Sequence, residues 1–149
     1  MDIKLESPNQ PEVVALIDQL DAYQLSLYPP ECVYALDMHS LLQPNVLFAV
    51  ARNNDGAAVG CGAIVVTPEF GEVKRMFVHP SARGQGVAQR LLGKLELEAQ
   101  ARGCRRFMLE TGPSQPEAIG LYERLGYRVR GPYGDYPDDP MSVFMEKAA

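Results

Sequence analysis

A chain of 149 residues with 46% hydrophobic and 22% charged side chains has the make-up of one globular domain, long enough to bury a core without disulfide or metal staples. Its 14 Lys and Arg against 19 Asp and Glu leave a net charge of −5, which argues against a dedicated nucleic-acid binder with a concentrated basic surface. No apolar run approaches the ~20 residues of a membrane span, and Met1–Glu6 has no signal-peptide core, so a cytoplasmic protein without membrane attachment is expected.

In chain order, residues 2–6 alternate well enough for a short strand. Val13, Leu16, Ile17 and Leu20 fall at helical spacing after Pro11, and Tyr28-Pro29-Pro30 must end that helix. A short second helix is predicted from Asp37 to Leu42. Val46–Arg52 and Ala57–Thr67 read as strands around the turn Asn53-Asn54-Asp55-Gly56. In the next strand, Glu72–Val78, strict alternation puts Glu72, Lys74, Met76 and Val78 on one face and Val73, Arg75 and Phe77 on the other. A long helix over Gln85–Arg102 follows, with Val87, Leu91, Leu92, Leu95 and Ala99 as its apolar stripe and Gly103 as its cap. Phe107–Thr111 reads as a strand, Pro116–Leu125 as a helix stopped by Gly126, and Tyr127–Arg130 and Val143–Met145 as the last strands. Hairpins followed by a strand–helix–strand series describe a mixed α/β sheet.

Cysteine and histidine chemistry has little material. Cys32, Cys61 and Cys104 are odd in number and form no Cys-x-x-Cys pair, so each reads as a small buried hydrophobe in a reducing compartment. His39 and His79 have no ligand spacing, and no metal site is expected. His79 turns the chain before Pro80.

The chemistry concentrates where the strand ending at Val78 enters Arg83-Gly84-Gln85-Gly86-Val87-Ala88 and then a helix. Two glycines allow close backbone approach, and a helix N-terminus offers unpaired N–H donors to phosphate. Arg83 adds a cation. The loop is neither a P-loop nor a dinucleotide fingerprint.

This loop resembles the Arg/Gln-x-x-Gly-x-Gly/Ala motif of the GNAT superfamily of N-acetyltransferases, flanked by Val78-His79-Pro80 and Leu91-Leu92. A second block, Ala118-Ile119-Gly120-Leu121-Tyr122-Glu123-Arg124-Leu125-Gly126-Tyr127, is similar to the family's Ala-x-x-x-Tyr-x-x-x-Gly-Phe/Tyr segment. The two come in the family's order and separation. The resemblance implies a single α/β domain over residues 1–149, with a mixed, mostly antiparallel sheet flanked by helices and a splayed central strand pair.

It also implies acetyl-CoA as donor and no metal. Arg83, Gly84, Gln85, Gly86, Val87 and Ala88 would hold the pyrophosphate, and the free backbone of Met76, Phe77 and Val78 would pair with the pantetheine arm as an added strand would. Gln115 stands where the family often has Asn and, one methylene longer, would offer its amide to the pantetheine. Tyr122 is the family's general acid toward the departing thiolate, or else a core tyrosine beside Ala118, Leu121 and Leu125. Glu72 occupies the position of the family's acidic base, or else is an exposed carboxylate beside Lys74. Cys104 follows a helix-ending glycine far from the loop, which favours direct transfer over an acyl-enzyme.

The family builds its acceptor site from the first helical region, here Tyr28, Glu31 and Asp37, and from the loop Tyr133-Gly134-Asp135-Tyr136-Pro137-Asp138-Asp139-Pro140. Tyr133, Asp135 and Tyr136 offer rings and acids to a cationic amine, or form a solvated loop. Arg52, Arg75 and Arg128 would instead suit an acceptor with a carboxylate. The expected activity is acetyl transfer to a primary amine of a small molecule. The alternatives are a protein or peptide N-acetyltransferase and a non-catalytic CoA-binding regulatory module. Relatives are often homodimers.

Overall fold

A computed structural model describes residues 1–149. The elements are β1 (Asp2–Leu5), α1 (Pro11–Leu27), α2 (Met38–Leu41), β2 (Val46–Arg52), β3 (Ala58–Val66) and β4 (Gly71–Val78), then α3 (Val87–Ala101), β5 (Arg106–Thr111), α4 (Pro116–Arg124), β6 (Arg128–Arg130) and β7 (Val143–Ala148). Seven strands form one sheet in the order β1-β2-β3-β4-β5-β7-β6. Every neighbouring pair is antiparallel except β4 and β5, so the sheet is mixed and mostly antiparallel, with one parallel junction in its middle. No helix is long and apolar enough to cross a membrane.

Helices cover both faces. On one, Leu91, Leu92 and Leu95 of α3 are sealed against Leu47, Ile64, Val73 and Phe107 of the strands. On the other, Val13, Leu16, Ile17 and Leu20 of α1 pack on Phe48, Val50, Cys61 and Phe77. Each large side chain buried in this way contributes about 1.5–3 kcal/mol. Tyr28, in an extended conformation before Pro29 and Pro30, ends α1.

Helix α3 begins at Val87, two residues later than the sequence suggests, because Gly86 adopts φ +74 and a left-handed residue cannot join the helix. At its other end Gly103 N–H donates to the Gln100 carbonyl and Cys104 N–H to the Ala99 carbonyl, with Gly103 at φ +90. This is a Schellman cap. Strand β7 runs three residues beyond Met145, since its polar end is partnered: Glu146 by Arg130 and Lys147 by Glu96.

Strict alternation along β4 fails. Cys61 pairs with Phe77 and Ala63 with Lys74, so Arg75 and Met76 together oppose Gly62. This is a β-bulge, and Arg75 sits in it at φ +58, the only non-glycine residue with positive φ. The extra residue reverses the facing of the rest of the strand. Glu72, Lys74, Arg75 and Phe77 lie on the α1 side, whereas Val73, Met76 and Val78 lie on the α3 side. A Cβ on Gly62 would stand 2.2 Å from Met76 Sδ, so a residue without a side chain is what lets the bulged strand place Met76 there.

Beside the bulge the sheet opens. Parallel pairing of β4 with β5 covers only Gly71–Val73 against Phe107–Leu109 and then stops. Both strands continue, β4 to Val78 and β5 to Thr111. The V between them is the position at which a ligand backbone can reach unpaired strand edges.

Candidate active site

Two connected concavities occupy this opening. The larger, a groove of about 810 Å³, runs from β4 over the glycine loop to α4. Met76, Phe77, Val78, Arg83, Gly84, Gly86, Val87, Ala88 and Gln115 all line it. Gln85 does not, and its side chain is exposed. The first intrahelical bond of α3 runs from Arg90 N–H to the Gly86 carbonyl, which leaves the N–H groups of Val87, Ala88 and Gln89 free at the positive end of the helix. Arg83 stands at the mouth, its Nε donating to the Val78 carbonyl at 3.1 Å and its guanidinium 5.8 Å from the Phe77 ring. Arg124 and Tyr23 also line the groove, although the sequence did not single them out. His79 accepts the Ser81 N–H at 3.1 Å, a turn contact as expected.

The smaller cavity, about 100 Å³, lies in the V itself. It shares Leu20, Met76, Gln115 and Ala118 with the groove, so the two meet at those residues. Tyr122 lines it from α4. Its ring packs edge-on against Tyr127 at 5.8 Å, and burial pushes its phenol up to about 12. The hydroxyl therefore remains protonated at neutral pH. Glu110, on β5, lines the same cavity. Burial raises its carboxyl to about 7, against the opposing pull of the Lys74 ammonium. One small cavity thus holds both a protonated phenol and a carboxyl balanced near neutrality, groups of the kinds that general acid–base chemistry uses.

Tyr28 closes the outer wall. Its hydroxyl donates to Gln115 Oε1 and accepts the Ser114 N–H, both at 3.2 Å. A Cβ on Gly112 would lie 1.9 Å from that hydroxyl. Gly112→Ala is therefore expected to expel the Tyr28 ring, lowering stability by about 1–3 kcal/mol, as overpacking does. Denaturant titration of the variant checks this.

Glu72 does not line the cavity; it accepts the hydroxyls of Tyr133 at 2.7 Å and Tyr136 at 2.6 Å. Lys74 Nζ is 3.7 Å from the same carboxylate and also donates to Tyr136 and to the Tyr34 carbonyl. The tyrosines of the last loop thus turn inward: Tyr133 is packed with Met108 and Phe144, and neither it nor Tyr136 lines the cavity. Asp135 and Glu31 are exposed and stand outside it, and Asp37 caps α2 through the Ser40 N–H. From that loop the cavity receives Met141, and Asp139 holds the Tyr34 hydroxyl at 3.1 Å.

Of the residues proposed for substrate, only Tyr28 reaches the cavity wall. Glu110, which lines the cavity, was not singled out from the sequence; its signal was a carboxylate directly after the apolar run Phe107-Met108-Leu109 and before Thr111.

No cluster of metal-ligating side chains is present. Cys61 is buried and its thiol is pushed up to about 12 by burial, while the neighbouring Asp139 carboxylate raises that of Cys32. Neither is disposed to act as a thiolate.

The family model described as the acetyltransferase (GNAT) family matches residues 13–127. The chain is 50% identical to a protein of Azospirillum brasilense named IAA acetyltransferase, across 97% of this chain and 95% of that protein. It is 37% identical to the Bacillus subtilis (strain 168) N-acetyltransferase YsnE, itself without a characterised activity, over 99% of both. A solved structure from Klebsiella pneumoniae, assigned to the acyl-CoA N-acyltransferases, superposes with a TM-score of 0.86 at 42% identity, covering 99% of this chain and 96% of that one. With the glycine loop, the splayed strands and the tyrosine helix all in place, the chain belongs to the GNAT family of acetyltransferases, N-acyltransferases whose donor is acetyl-CoA.

Proposed function

We propose that the protein moves an acetyl group directly from acetyl-CoA to the primary amine of a small molecule inside the β4–β5 opening. The observation that carries this reading is the pairing of Tyr122 and Glu110 on one small cavity that joins the cofactor groove. The pyrophosphate would rest on the free N–H groups at the start of α3, beside Arg83. The pantetheine arm would pair with the unpaired edge of β4 at Met76–Val78 and bring the thioester to Met76, Gln115 and Ala118.

Glu110, rather than Glu72, takes the role of base, because it faces the cavity. Glu110 accepts a proton from the incoming ammonium, freeing the lone pair that attacks the carbonyl carbon. As the tetrahedral intermediate collapses, the C–S bond breaks and the Tyr122 hydroxyl protonates the departing thiolate; the second proton shed by the nitrogen restores the phenol, and Glu110 releases the first to solvent. Glu72 holds Tyr133 and Tyr136 in place beneath Lys74. A cavity of about 100 Å³ suits a compact acceptor better than a folded polypeptide.

Gly86→Asp tests the cofactor half. Nothing lies within 4 Å of a Cβ at Gly86, but at φ +74 a side chain adds about 1–2 kcal/mol of backbone strain, so circular dichroism first establishes that the variant is folded with a carboxylate in the phosphate position. Calorimetry should show acetyl-CoA affinity lowered at least ~10-fold, equivalent to about 1.4 kcal/mol. Initial rates test the transfer route. Intersecting double-reciprocal lines are expected for direct transfer, and parallel lines would reject it.

A further inference from the structure

The cavity has a charge pattern that a plain amine does not match. Two of its lining residues, Lys74 and Arg75, are cations, against the single carboxyl of Glu110. Arg75 is 5% exposed. Its terminal nitrogen is held by Asp21 Oδ1 at 2.5 Å and the Ile17 carbonyl at 3.4 Å, but its Nε is buried with no hydrogen-bond partner. Lys74, with its side chain 11% exposed, commits two of its three protons, to the Tyr34 carbonyl and the Tyr136 hydroxyl. Glu72 at 3.7 Å is too far for a hydrogen bond from the third.

Arg75 is thus answered by Asp21, and its sealed Nε has no open surface for a ligand atom, which leaves Lys74 on the cavity wall as the cation that an acceptor meets. A bare ammonium brought beside Lys74 is repelled. The same ammonium tethered to a carboxylate is not, since the carboxylate answers Lys74 while the nitrogen answers Glu110.

We infer that the acceptor is a short zwitterion, an amino acid or similar amino-carboxylate, whose carboxylate is received by Lys74 Nζ while its amine faces Glu110. This inference rests on the transfer reading above and narrows it. It also separates a free amino acid from a peptide N-terminus, in which an amide replaces the α-carboxylate and carries no charge.

The test compares L-alanine, L-methionine and L-phenylalanine with their carboxamides and their decarboxylated amines. Two quantities are followed: kcat/KM with acetyl-CoA, and calorimetric binding to the CoA-loaded protein. For at least one side chain, the acid should exceed its carboxamide and amine by at least ~10-fold in both measures. In Lys74→Met that ratio should fall toward one. Carboxamides or amines that serve as well as every acid in the wild-type protein would overturn the inference while leaving the transfer reading intact, with no reliance on the variant. Acids that bind the CoA-loaded protein in preference to the amides but are never acetylated would support the subsite and reject transfer. A Lys74→Met protein that is folded by circular dichroism yet keeps the full wild-type ratio would also overturn the inference.

Discussion

Replacing Glu110 with Gln is expected to lower kcat/KM by about 10³-fold, within the range that a positioned base contributes. In the wild-type protein kcat/KM should fall as pH drops through about 7, where the carboxyl takes up its proton. In Glu110→Gln that limb should vanish, leaving only the dependence set by the free amine. A stability effect of opposite sign accompanies the loss. The folded carboxyl titrates near 7, above its ordinary 4.5, so between those values the folded state binds more protons than the unfolded one. Stability therefore declines as pH rises through this window. Gln is never charged, so the variant should melt above the wild type at pH 8, and the gain should be absent below pH 4.5. A slow enzyme that is more stable at high pH indicates a strained functional carboxyl. Unchanged kcat/KM would exclude Glu110 as base.

Tyr122→Phe separates proton donation from packing. The ring stays against Tyr127, and the phenol hydroxyl has no protein hydrogen bond to lose, so thermal stability should change little. Without its proton the leaving thiolate departs unaided, and kcat should fall about 10²-fold with acetyl-CoA affinity preserved. Because burial holds the wild-type phenol near 12, no alkaline limb from this residue should appear below pH 10. Wild-type turnover in the variant, with chemistry shown to be rate-limiting, would remove Tyr122 from the mechanism. Glu72→Gln gives the contrast. It weakens the hold on Tyr133 and Tyr136, so it should lower stability and leave the kinetic limb near pH 7 in place.

Much of this architecture was legible in the residues. Apolar spacing located α1 and α3 on the sheet, and the glycine loop before α3, with the Tyr122 helix after it, identified the family segment. What escaped depended on registry and partners. The bulge in β4 shows in the sequence only as a lapse of alternation, the polar pair Lys74-Arg75 followed by the apolar run Met76-Phe77-Val78, where an extra residue turns the strand over. Strict alternation therefore put Glu72 and Met76 on one face when they occupy opposite ones. Tyr133 and Tyr136 looked suited to a cationic substrate, yet the carboxylate they meet is this chain's own Glu72, 61 and 64 positions away. Glu110 went unnoticed for a related reason. A carboxylate in a core strand comes to line a cavity only where the neighbouring strand diverges, and only the strand pairing reveals that β4 leaves β5 after Val73.

The account stands on transfer of acetyl from CoA to an amine at the junction of the two cavities. The most direct measurement is quantitative mass detection of free CoA and acetylated acceptor over an amine and amino-acid panel, for the wild-type protein and for Glu110→Gln. The account predicts that the two products appear one for one in the wild type, with no acetylated protein accumulating when acetyl-CoA is supplied alone, and that both slow together in the variant. Tight CoA binding with no acetylated acceptor from any member of the panel, or an acetyl-protein formed before acceptor is added, would contradict it.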